Sequence, residues 1–207
     1  MAQATTNATP PQTAPVLSFG AHIADPGPLG LAGFALTTFM LSSFNSGLAP
    51  KSAEAVVLGV ALFYGGIAQL FAGMWEFAKG NTFGALAFSS YGAFWMSFWY
   101  LVQHADLSKA TAAEAAKGIG VFLLAWTIFT LYMTVVASRL SGILFILFAV
   151  LLVTFAFLTV GELGTSPNMT KIGGYLGLVT ALVAWYASFA GVLNNTAKRI
   201  VLPTWPR

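Results

Sequence analysis

The chain contains no cysteine, which excludes disulfides, thiolate metal sites and thiol nucleophiles. It carries little charge. Only 7% of its 207 residues are Asp, Glu, Lys or Arg, against about a quarter in a soluble domain. The two histidines, His22 and His104, have no partner at ligand spacing, so no metal site is expected. Nine basic residues against six acidic ones give a net charge of +3. These are too scattered for the clustered basic face that nucleic acid requires. A zinc-protease helix, a nucleophile elbow and a phosphate loop are all missing. The expectation is therefore no enzyme and no cofactor.

What is present is apolar. Hydrophobic residues make up 57% of the chain and the mean hydropathy is +0.79. Six runs approach the ~20 residues that cross a hydrocarbon core. They fall at about residues 29–48, 53–77, 82–102, 118–137, 143–160 and 172–193. The expected fold is all-α: a polytopic membrane protein with six transmembrane helices in residues 25–195. Residues 1–24 are rich in Ala, Thr, Pro and Gln without Lys or Arg. They lack the basic start and apolar run of a secretory signal and read as a disordered polar tail. Residues 196–207 read as a short basic tail with Lys198, Arg199 and Arg207.

The polar tail gives way to the apolar region at Asp25, Pro26, Gly27, Pro28, Leu29 and Gly30. An Asp–Pro pair suits a helix start, because the carboxylate accepts from free N–H groups and Pro has none to leave unpaired. Gly30 and Gly33 bare one face for close approach of another backbone. Phe34, Thr37, Thr38 and Leu41 share a face. Thr37 and Thr38 either bond back to carbonyls one turn earlier or line a passage. Gly59, Gly66, Gly73 and Gly80 recur every seven residues, so the second span is expected to carry a glycine stripe. Gln69 lies well inside that span. An amide cannot face lipid cheaply, so it serves as glue between helices or as a solute contact. Glu76 and Lys79 lie near the span's end, where a charge reaches the interface. Asn81 can cap the third span, where Tyr91 is a central phenol that needs a partner and Ser90 sits beside it. The fifth span is the most apolar and is expected to face lipid or a neighbouring subunit. No Lys, Arg, Asp or Glu lies at mid-depth. Hydroxyls, one amide, aromatic rings and glycines suit a narrow passage for a small solute of modest polarity, with a carboxylate crossing as its neutral acid.

The decapeptide from Asp25 to Phe34 resembles the Asn-Pro-Ala-Pro-Leu-Gly-Leu signature of the acetate uptake transporter family, which includes the bacterial succinate/acetate permeases. Two further runs match. One is Phe63-Tyr64-Gly65-Gly66-Ile67-Ala68-Gln69, continuing through Phe71-Ala72-Gly73 to Gly80-Asn81-Thr82-Phe83-Gly84. The other is Ser90-Tyr91-Gly92-Ala93-Phe94-Trp95. The chain departs from the signature at Asp25, where the family has Asn, and at Gly27, where it has Ala. The expectation for Asp25 is a cap along the helix start.

The resemblance implies transport of acetate, with succinate a second substrate, by a carrier that is either proton-coupled or channel-like. It also implies a homohexamer with one pore per subunit, embedded in membrane lipid. Its narrowest point, a Phe, a Tyr and a Leu, falls on Phe34, Tyr91 and Leu151. Pore-lining candidates beside them are Thr37, Thr38, Gln69 and Ser90. The alternatives are a channel for ammonia or another small neutral solute, and a membrane receptor that transports nothing. Six spans put both termini on one side. Lys79, Arg139, Lys198, Arg199 and Arg207 gather there, against Lys51, Lys109, Lys117 and Lys171 opposite. That bias predicts cytoplasmic termini in the cell membrane.

Overall fold

A computed structural model describes residue 20 and residues 22–207. Nearly all of the proposed tail at 1–24 lies outside the described residues. Six helices account for most of the rest. They are α1 Gly27–Asn45, α2 Lys51–Ala78, α3 Thr82–His104, α4 Ala112–Ala137, α5 Gly142–Leu163 and α6 Pro167–Ala197. Five are long and apolar enough to cross a membrane. The remaining one, α3, is 23 residues long, and its Gly, Ser, Trp and Tyr content lowers its hydropathy.

Local chemistry sets the ends. Asp25 Oδ1 accepts from Gly27 N at 3.2 Å, which holds the start of α1. Asn81 Oδ1 accepts from Gly84 N at 3.2 Å and caps α3. Helix α4 begins at Ala112, six residues before the expected 118, on a capping box in which Thr111 and Glu114 bond each other's backbone N–H. Helix α6 begins at Pro167, before the expected 172, because Pro suits the first turn. Lys198 is left-handed at φ 54° and turns the chain back at the end of α6. The following residues form a strap rather than a loose tail. Asn194 Oδ1 accepts from Val201 N and Leu202 N at 2.8 and 2.9 Å. Tyr186 donates to the Pro203 carbonyl at 2.8 Å. Gly142 N donates to the Trp205 carbonyl at 2.8 Å, and Arg207 donates to the Ser138 carbonyl at 2.6 Å.

Lipid gives helices no hydrophobic reason to associate, so they meet where small residues let backbones approach. Several seams hold this bundle, among them α4–α5 at Gly120 and α5–α6 at Gly161 and Gly173. Between α1 and α6, a Cβ on Gly174 would lie 2.6 Å from the Asn45 carbonyl carbon, and Ser188 donates to the Pro28 carbonyl at 2.7 Å. Between α2 and α3, a Cβ on Gly73 would lie 2.6 Å from Ser89 N, and one on Gly92 would lie 2.8 Å from Leu70 N and 2.9 Å from the Gly66 carbonyl.

The heptad glycine stripe does not survive as one face. Residues Phe63–Ala68 of α2 form a π-helical turn, whose extra residue per turn rotates everything after it. Gly59 consequently meets open space. Gly66 and Gly73 pack on α3, and Gly80 ends the helix at φ +75°. The same turn admits α1, since a Cβ on Gly33 would lie 2.6 Å from the Tyr64 carbonyl oxygen.

Helix α5, the most apolar, has two faces. Phe145, Ile146, Val153 and Val160 are exposed, while Leu147, Phe148, Leu151 and Phe155 are buried in the centre of the bundle, between α4 and α6. Apolarity in a membrane protein cannot by itself distinguish lipid-facing from core-facing side chains. Helix α4 likewise leaves Val121, Ile128, Leu131 and Val135 outward.

Replacing Gly73 by Leu drives a side chain into α3 backbone that cannot yield, and overpacking of this kind costs about 1–3 kcal/mol or more. The expected result in detergent is loss of the monodisperse species and a lower melting temperature. Gly59→Leu, facing open space, leaves both close to the parent.

Candidate functional site

Two cavities enter the bundle from opposite ends. The first, of about 200 Å³, opens on the side of the α2–α3 turn. Asp25, Glu76 and Asn81 line its mouth, and Phe34, Tyr91 and Leu151 its inner end. The second, of about 360 Å³, opens on the other side beside Lys51, Glu54 and Glu162, with Phe94 and Phe155 deeper in. Both are walled by α1, α3 and α5. On α5 the wall residues Leu151 and Phe155 are four apart, and on α3 Tyr91 and Phe94 are three apart. The layer between the cavities is therefore about one helical turn, ~5 Å, thick along these helices.

That layer is aromatic. The rings of Phe34 and Tyr91 are 5.6 Å apart, those of Tyr91 and Phe129 5.3 Å, and those of Phe94 and Phe155 5.5 Å in an edge-to-face arrangement. Such tilted contacts put ring edges against ring faces and fix the rings mutually. Tyr91 is 2% exposed. Its partner is protein rather than water: its hydroxyl lies 2.9 Å from Thr130 Oγ1. The Thr130 hydroxyl spends its single proton on the Trp126 carbonyl at 2.7 Å, so Tyr91 is the donor of the pair. The phenol therefore offers the cavity its ring, with the hydroxyl held toward α4.

The candidate residues separate by position. Phe34, Gln69, Tyr91 and Leu151 come together on the first cavity, with Asp25 and Gly27 at its mouth. Thr37, Thr38 and Ser90 line neither cavity. Thr37 bonds back to the Gly33 carbonyl at 2.9 Å, as short hydroxyls in helices do. Pro26, Pro28, Leu29 and Gly30 build the start of α1 behind the wall. Gly30 is bare because the Phe88 ring occupies the space of a Cβ. Asp25 combines two roles, holding Gly27 N and pairing with Lys79 Nζ at 3.1 Å. This pair is largely solvated, so its contribution is about 0–1 kcal/mol.

Two polar groups are buried on the cavity wall. Gln69 is 1% exposed and its Oε1 has no hydrogen-bond partner among the described residues. Glu76 is 2% exposed. Its Oε2 accepts from Asn81 Nδ2 at 2.8 Å. Gly84 makes room for it, since a Cβ there would lie 2.8 Å from the Glu76 carboxyl carbon. The position of Glu76 near the span's end, where a charge reaches the interface, did not by itself reveal this burial. The signal that places it lies in the spacing: Glu76 is seven residues after Gln69, on the same face of α2.

The comparisons with known proteins agree with this architecture. The family described as GPR1/FUN34/yaaH matches residues 7–206. Ammonia transport outward protein 2 of Saccharomyces cerevisiae is 41% identical over 195 residues, covering 91% of this chain and 67% of that protein. The succinate-acetate/proton symporter SatP of Escherichia coli is 39% identical over 181 residues, covering 87% of this chain and 95% of that protein. The structure of the bacterial acetate channel SatP superposes with a TM-score of 0.81 at 38% identity, covering 88% of this chain and 99% of that one.

Because the Tyr91 hydroxyl is held by Thr130, Tyr91→Phe is expected to lower stability by about 1 kcal/mol, a fall of roughly 2–4 °C in melting temperature. Solute passage persists, since the ring remains. A thermal melt beside a flux assay checks both.

Proposed function

The chain belongs to the GPR1/FUN34/yaaH family, and from that premise we propose that it is a multi-pass membrane transporter carrying acetate, and succinate as a second substrate, with a coupled proton. The observation that carries this reading is the pair of cavities meeting at one aromatic layer with no fixed charge in it. A hydrated ion gains nothing there to replace its water, and an ionised carboxylate is costly to desolvate. A small acid in its neutral form crosses at much lower cost. Phe34, Tyr91 and Leu151 form the constriction, and Gln69 offers the passing acid a polar contact.

The transport unit occupies residues 25–195, in a homohexamer with one pore in each subunit. The outward apolar faces of α2 and α4, with Phe63, Phe71, Val121 and Val135 exposed, leave ample surface for lipid and neighbouring subunits. Both termini are cytoplasmic, in keeping with Lys79, Arg139, Lys198, Arg199 and Arg207 on one side. A second reading, passage of ammonia, draws on the name of the yeast relative. The aromatic layer alone does not distinguish two small neutral solutes.

Labelled acetate and ammonium offered to proteoliposomes test the two readings. Saturable acetate uptake stimulated by an inward proton gradient supports the first. Ammonia flux without acetate flux replaces it with the second. In the acetate system, Phe34→Ala and Leu151→Ala are expected to widen the constriction. Uptake of longer monocarboxylates then rises several-fold relative to acetate. An unchanged size profile in both variants would put the constriction elsewhere.

A further inference from the structure

We infer that Glu76 is the group that hands the coupled proton to the substrate. The inference rests on the transport reading above and adds a residue to it.

Glu76 sits on the cavity wall that a substrate must pass to reach Phe34 and Tyr91. Seven residues of helix separate it from Gln69, a rise of about 10 Å, so it stands at the mouth end of the wall, about two turns before the aromatic layer. Its carboxyl is enclosed, and among the described residues no cation forms an ion pair with it. The nearest one, Lys79, is engaged with Asp25. Among the described residues Asp25 and Lys79 are the charged groups facing it from α1 and α2. From α3 and α5 the facing wall residues Asn81, Gly84, Leu144 and Leu147 carry no charge. One carboxyl oxygen is held by Asn81. The other, Oε1, makes no hydrogen bond among the described residues and lies beside Gly27, where a Cβ would be 3.6 Å away. A buried carboxyl with one neutral donor and one free oxygen is poised to exist in either protonation state. Deeper on the same wall, the unpartnered Gln69 marks a second place where a polar guest is wanted.

The step balances simply. Glu76 takes a proton from water in the first cavity. A monocarboxylate arriving at its free oxygen accepts that proton. The O–H bond of Glu76 breaks, that of the substrate acid forms, and Glu76 is left ionised. The neutral acid passes the aromatic layer and gives its proton to water in the second cavity. One proton crosses with one carboxylate.

The test uses full-length protein in proteoliposomes, with acetate as probe and acetamide as its permanently neutral isostere. The parent takes up acetate at neutral pH as well as at acid pH, where the acid enters already protonated. Glu76→Gln is expected to lose neutral-pH acetate uptake by roughly tenfold or more. Uptake at acid pH and passage of acetamide remain, which shows the throat intact. Glu76→Asp recovers part of the neutral-pH activity. A Glu76→Gln variant with the parent's pH profile would overturn the assignment while leaving the transport reading standing. Failure of the parent to carry acetate at any pH would overturn the transport reading itself. Where Glu76→Gln does not fold, Asn81→Ser decides, because Ser keeps the cap on α3 but withdraws the amide from the carboxylate. Proton affinity then rises, and the midpoint of the uptake profile moves toward alkaline pH. An unmoved midpoint contradicts the assignment.

Discussion

Close backbone contact between helices is what everything else in this molecule depends on. In hydrocarbon, apolar side chains gain nothing by leaving lipid for protein, so packing and short polar contacts must hold the helices together. The chain meets this with seams of small residues. Gly73 and Gly92 draw α2 onto α3, and Gly174 and Ser188 draw α6 onto α1. Gly161 and Gly173 hold α5 against α6. Together they set the spacing at which Phe34, Tyr91 and Leu151 face one another from α1, α3 and α5. The π-helical turn at Phe63–Ala68 joins the two arrangements. It opens a place for Gly33 of α1 and turns Gln69 and Glu76 onto the cavity wall.

Charge distribution follows the same logic. Ionisable groups are costly inside a membrane and therefore mark function where they occur. Here they are confined to the two mouths: Asp25, Glu76 and Lys79 on one side, Lys51, Glu54 and Glu162 on the other. Lys51 pairs with Glu54 at 2.6 Å, as Lys79 pairs with Asp25. The aspartate that replaces the family's asparagine is thus balanced by a local cation. The anion-repelling charge it would otherwise present to the first cavity is offset. Glu76 is the exception, buried and with no cation paired to it among the described residues.

Much of this was legible in the residues. The six helices, the Asn81 cap, the bond from Gly27 N to Asp25 and the close backbone approach at Gly33 follow from hydropathy and turn chemistry, which act locally. The parts that escaped depend on three-dimensional partners. Tyr91 needed a hydrogen-bond partner, but only the fold identifies it as Thr130, 39 residues away. Which face of α5 is buried was not legible, because Leu and Phe look alike in lipid and in an aromatic core. The glycine heptad failed because one π turn re-aims every residue beyond it. Glu76 looked like an interfacial charge until Gly84 and Asn81 enclosed it. The early start of α4 was readable at Thr111 and Glu114, a capping box inside what looked like a polar loop.

The cysteine-free chain lends itself to one decisive experiment. Single cysteines at Ala87, on the first cavity, and at Leu158, on the second, are exposed in oriented vesicles to a membrane-impermeant thiol reagent applied from either side. Two water-filled cavities divided by a closed aromatic layer predict that Ala87→Cys reacts only from the side of the termini and Leu158→Cys only from the opposite side. Reaction of both from the same side, or of neither from any side, would contradict a passage built in this way.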